Sequence, residues 1–80
     1  MEESVTIKLS RLDVGQLMDG LQIRLEAWRG TQMYFESGFP PSPDFMIEQA
    51  SDAEEAEQIA NHYERILSTI SEQVNAQTKE

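Results

Sequence analysis

The sequence predicts an all-α protein: an antiparallel two-helix hairpin with a short N-terminal extended strand or arm and a short helical turn at the bend, dimerising into a four-helix bundle. Three observations carry this expectation. Two segments of matched length, about 26 residues each, place their apolar residues at helical spacing. The chain's only breaker cluster, Pro40-Pro41-Ser42-Pro43, lies between them. The chain has 80 residues, 39% of them hydrophobic, and no Cys. That is too short for two domains, and no disulfide can supplement a small core. We therefore expect one helical-hairpin domain over residues 1–80, made of an extended arm (1–9), a first helix (11–36), a short helix (43–49) and a second helix (52–76).

The elements follow in order. Met1 to Ser4 read as loose chain. Val5, Ile7 and Leu9 alternate with Thr6 and Lys8, the period-two pattern of a short strand. A lone strand leaves its backbone groups unpaired. It must pair with a second copy of itself or lie on the helices as an arm. Ser10-Arg11-Leu12-Asp13 is close to a capping box, with Asp in place of Glu. From there Val14, Met18, Leu21, Leu25, Trp28 and Phe35 fall on alternating four- and three-residue steps, Gln32 takes the one polar step, and Leu17 widens the stripe. Gly15, Gly20 and Gly30 each weaken the helix by about 1 kcal/mol relative to Ala. Gly38 suits the left-handed position after the helix, Phe39 could fold back onto Tyr34, and Pro40 prevents continuation.

Ser42, Pro43 and Asp44 resemble a helix start, so Pro43 to Gln49 is expected as a short helix whose Phe45, Met46 and Ile47 cap the bend. Ser51-Asp52-Ala53-Glu54 is a full capping box. Ala56, Ile59, Ala60, Tyr63, Ile66, Leu67, Ile70 and Val74 then form one narrow stripe. On a helical wheel the first helix has a second apolar set opposite its main stripe. Leu12, Ile23, Ala27 and Tyr34 lie there, with Gly30 beside them. Such a face would meet water in an isolated hairpin, and its small residues would let another backbone approach. These four residues are the candidate self-association surface of a twofold dimer.

The charge is uneven. The net charge is -9, yet residues Gly30 to Glu64 hold eight acids and no Lys or Arg. Asp44, Glu48, Asp52, Glu54, Glu55 and Glu57 form the candidate acidic surface for an unknown protein partner, one that is basic if charge sets the choice. The same charge argues against nucleic acid or an anionic membrane as partner. No apolar run approaches the roughly 20 residues of a membrane span. The acidic Met-Glu-Glu-Ser start lacks the basic and apolar regions of a signal peptide. The expected location is cytoplasmic.

Chemistry finds little support. No Cys is present, and Ser68 and Ser71 have no evident His-plus-acid constellation, so no catalytic residue is assigned. The glycines match no nucleotide-binding fingerprint, so no cofactor is expected. His62 is the only His, and Ile59 stands where a Glu-x-x-His metal motif needs its Glu, so no metal site is expected. Trp28 lies on the seam and reads as packing rather than as a stacking platform for bases. Glu54-x-x-Glu57 is similar to the magnesium-binding helices of all-α nucleotide pyrophosphatases, but the second acidic pair of that family is missing.

Val5-Thr6-Ile7-Lys8-Leu9-Ser10 before a helix resembles the opening strand of ribbon-helix-helix repressors. In that family two strands pair across a dimer and their outward polar side chains read DNA, so the resemblance implies Thr6 and Lys8 as readers. It covers six residues. The first helix is about twice too long, the linker carries the proline cluster, and the net charge repels phosphate. The expected function is thus a homodimeric protein–protein interaction module of accessory or regulatory type. The alternatives are an acidic mimic of nucleic acid, or antirepressor, seated in a basic protein groove, and, as a minor one, a DNA-binding regulator of ribbon-helix-helix type.

Overall fold

A computed structural model of the chain describes residues 3–78. Met1, Glu2, Lys79 and Glu80, which the arm and tail expectations include, lie outside the described residues. Two helices, α1 (Arg11–Ser37) and α2 (Ala53–Thr78), pack against each other as a hairpin. At 27 and 26 residues each is about 40 Å long.

Local signals account for the ends of α1. Ser10 sits in the extended region, and its Oγ accepts from the Asp13 N–H at 3.1 Å. Gly38 adopts φ 84°, and its N–H donates to the Tyr34 carbonyl at 2.7 Å. That left-handed geometry carries little penalty only for a residue without Cβ. Phe39, expected to fold back on Tyr34, is exposed, and its N–H bonds to Ser37 Oγ.

The start of α2 corrects the expected cap by one residue. Asp52, not Ser51, is the capping residue: its Oδ1 accepts from the Glu55 N–H at 2.9 Å, and Glu55 Oε1 reaches back to the Ser51 N–H at 2.8 Å. The sequence offers two overlapping boxes, and a carboxylate is the stronger acceptor of an orphan N–H. Glu54 and Glu55 lie in the first turn, where the helix dipole favours anions.

The expected short helix over 43–49 is absent. A single turn closes at Pro43-Asp44, with the Phe45 N–H donating to the Ser42 carbonyl at 3.1 Å, and the chain then runs without helix to Ala50. A helix would send the Glu48 N–H to the Asp44 carbonyl. It goes instead to Thr31 Oγ1 at 2.9 Å. The connector is thus held by α1 rather than by its own backbone. Among the described residues there is no strand either. Residues 3–9 form the arm of the two sequence alternatives.

The core is small and lies in the bend half of the hairpin. Leu25, Trp28, Ala56 and Ala60 are its buried apolar residues, with Ala50, Ile59, Tyr63 and Leu67 packed around them. Alanine at 56 and 60 lets the helices approach closely there. Val14, Met18 and Leu21, expected on the same seam, are only half-buried, and Leu17 is exposed. Phe35, also expected there, is more than a third exposed and meets Tyr34 edge-on at 5.5 Å. The molecule is elongated, with principal extents of 47 × 32 × 18 Å. Its radius of gyration is 15.3 Å, against about 11.6 Å for a compact domain of this length.

Candidate interaction surfaces

The bend is organised by Gly30 and Thr31, neither of which was expected in the core. Thr31 is fully buried; its hydroxyl donates to the Ala27 carbonyl at 2.8 Å and accepts from the Glu48 N–H. Phe45 lies flat on Gly30. A Cβ built at that position would overlap the ring, coming within 2.6 Å of Cε2. Phe45 is half-buried in this seat, whereas Met46 and Ile47, expected beside it as caps, are exposed. Glycine at 30 is therefore a packing requirement of this chain's own connector.

Polar side chains join the two helices beside the core. Arg29 donates through Nη2 to Asn61 Oδ1 at 2.8 Å and to Glu64 Oε1 at 3.2 Å, and through Nη1 to Gln32 Oε1 at 3.3 Å. Gln32, the polar step in the apolar seam, donates to Glu36 at 3.1 Å and, at a longer 3.5 Å, to Glu57 of α2. Arg24 pairs with Glu48 at 3.4 Å and sits 5.9 Å from the centre of the Tyr63 ring. These pairs are partly exposed to solvent, so each is worth at most about 1 kcal/mol. They align the helices more than they stabilise them.

The six acids of the expected partner surface divide into two groups. Glu48 is committed to Arg24, Asp52 caps α2, and Glu55 bonds the Ser51 N–H. Glu54 and Glu57 are exposed and accept only from glutamine amides at 3.5 Å. Asp44 is exposed at the turn. Asp44, Glu54 and Glu57 are the acids with unsatisfied charge facing solvent. Among the described residues no three His, Asp or Glu side chains converge on a point that could hold a metal ion. His62 is exposed, and its Nδ1 lies 2.8 Å from Arg65 Nη2, so the ring accepts there from a guanidinium that can only donate.

The expected self-association face is divided as well. Leu12 and Ile23 are 72% and 66% exposed. Ala27 is half-buried and Tyr34 is borderline at 36%. Gly30, the small residue at the centre of this face, is occupied by Phe45 of the same chain, so it offers no bare backbone to a partner.

At the open end, the arm folds back over α2. Val5 borders a hollow of about 470 Å³ with Ile66 and Ile70. Ile7 and Leu9 border a second, of about 640 Å³, with Val14, Met18 and Val74. The arm's apolar side chains leave these hollows unfilled: Val5 is 84% and Ile7 70% exposed. Among the described residues no helix is long and apolar enough to cross a membrane.

A signal for Gly30 was available in principle, since a glycine in mid-helix loses about 1 kcal/mol against Ala and such a cost invites a packing reason. Thr31 gave none, because its burial depends on where the connector runs. Comparison with protein-family models, with curated proteins and with solved structures finds no match to this chain.

Proposed function

We propose that this protein is a homodimeric protein–protein interaction module, of accessory or regulatory type, whose acidic bend receives a basic partner. One observation carries the reading. The chain exposes 6545 Å², whereas a compact folded monomer of 9.1 kDa exposes about 4,900 Å². The excess, about 1,600 Å², is within the area a protomer buries in an obligate dimer. Large apolar side chains stand in that surface, among them Leu12, Ile23, Val5 and Ile7, with Phe39 and Met46 at the bend. Surface of that kind is what self-association covers.

The partner surface is the set of exposed acids, out of the six, that form no ion pair and cap no backbone N–H: Asp44, Glu54 and Glu57, at the turn and on the first turns of α2. Carboxylates on a fixed helix start suit lysine and arginine side chains of a basic protein segment. Mimicry of nucleic acid fits less well, because Glu48, Asp52 and Glu55 are tied up within the chain and break the row of free charges such a mimic needs. The test is binding of an arginine- and lysine-rich peptide to the full chain, followed by titration calorimetry at low and high salt. We expect salt-sensitive binding that is lost in Glu54→Lys/Glu57→Lys. Binding unaffected by that double variant removes the acidic bend as the partner surface.

A further inference from the structure

We propose that the second copy docks on the open half of the hairpin, over the edge formed by the N-terminal arm and the neighbouring side of α2, and buries Val5, Ile7, Ile66 and Ile70. This deepens the self-association reading above and rests on it.

Three observations select that edge. First, burial is graded along the hairpin. Leu25, Trp28, Gly30, Thr31, Ala56 and Ala60 are buried, all toward the bend. Beyond Ala60, no apolar stripe residue of α2 is fully buried. The buried core therefore stops short of the open end, while at the bend the exposed apolar side chains, Phe39 and Met46 foremost, sit beside the acids. Second, the arm is incomplete as it stands. No hydrogen bond joins residues 3–9 to another described residue, so their backbone donors and acceptors rely on water, and their apolar side chains line the two hollows without filling them. A segment in this state gains both main-chain partners and apolar cover when a second surface closes over it. Third, charge disfavours the other end. Two copies meeting at the bend would oppose Asp44, Glu54 and Glu57 with their like, whereas α2 from Arg65 onward carries only Arg65 and Glu72 among the described residues, and the arm adds one acid, Glu3, and one base, Lys8. A second copy is the occupant because the area left over, about 1,600 Å² per chain, lies inside the roughly 1,000–2,500 Å² that each chain buries in an obligate dimer.

The test uses the full chain. Its mass is measured by sedimentation equilibrium across the micromolar range for the unaltered protein, for Val5→Glu/Ile7→Glu and for Ile23→Glu. A single thiol is also introduced as Ile7→Cys or as Met46→Cys, each unique because the chain has no Cys, and its labelling rate is measured at both ends of that range. We expect a dimer that Val5→Glu/Ile7→Glu weakens by at least about tenfold, with monomer helicity unchanged because both side chains face solvent in the single chain. The thiol at position 7 should label slowly in the dimer and quickly in the monomer, and the thiol at position 46 quickly in both. A dimer that Ile23→Glu breaks and Val5→Glu/Ile7→Glu does not overturns this interface while leaving self-association standing. So does a thiol at position 7 that labels equally fast at every concentration. A chain that stays monomeric throughout overturns both.

Discussion

Gly30→Ala is the most informative single substitution in the bend. In an exposed helix interior, Gly→Ala gains about 1 kcal/mol. Gly15 and Gly20 are internal references, since a Cβ at either meets nothing within 4 Å. Each should gain close to that amount and raise the melting temperature by about 4–8 °C. At Gly30 the new Cβ overlaps the Phe45 ring, coming within 2.6 Å of Cε2, and a real side chain does not tolerate that approach. The ring must leave its seat. A fully buried Phe contributes about 1.5–3 kcal/mol, and Phe45 is half-buried, so its displacement costs about 1–2 kcal/mol on the same scale. The loss cancels or exceeds the helical gain. In a Phe45→Ala background the obstruction is gone, and Gly30→Ala should recover its gain of about 1 kcal/mol. The assay is thermal unfolding at one fixed protein concentration, because the proposed self-association would make the midpoint concentration-dependent. The emission of Trp28, the only Trp in the chain and buried in the core, reports unfolding. The double-mutant cycle should return a coupling of at least about 1 kcal/mol, clear of the roughly 0.5 kcal/mol error of additivity. Gly30→Ala stabilising as much as Gly15→Ala, with no coupling to Phe45, would refute the placement of the connector on α1.

Three further outcomes follow from the same geometry. Thr31→Val keeps the shape but leaves the Glu48 N–H without its acceptor and should cost about 1–3 kcal/mol. Thr31→Ser, which keeps the hydroxyl and loses one methyl, should cost about 0.8 kcal/mol; urea unfolding ranks the two, and the reverse order would remove the hydroxyl's role. Asp52→Ala should lose about 1 kcal/mol as a helix cap. Ser51→Ala should be nearly neutral in the same unfolding measurement, because only the Ser51 backbone is engaged. Gly38→Ala meets no neighbour but must adopt φ 84°, so circular dichroism melts should show a loss of about 1–2 kcal/mol from the backbone alone.

The parts legible in the sequence are those decided within a few residues. Ser10 and Gly38 mark the ends of α1 because capping is local chemistry, and Leu25, Trp28, Ala56 and Ala60 are buried because helical spacing puts them on facing stripes. The connector was illegible for the opposite reason. Pro43 with Asp44 carries a helix-start signal, but the Glu48 N–H finds Thr31 seventeen positions away, and no local pattern encodes that bond. Small residues at Gly30 and Ala27 signal room for a close approach but not what takes it, and at Gly30 the space is filled by Phe45 of the same chain. At the start of α2 the two overlapping cap signals differ by one residue, and only the hydrogen bonds decide between them. The acidic surface was visible as a run, but the run did not show that Glu48, Asp52 and Glu55 are bound within the chain.

The central claim is that this hairpin is half of a larger core. Sedimentation equilibrium of the full chain at micromolar concentration tests it most directly. The account predicts a mass of about 18 kDa, twice the 9.1 kDa of one chain. A single species that stays at 9.1 kDa across the concentration range contradicts it.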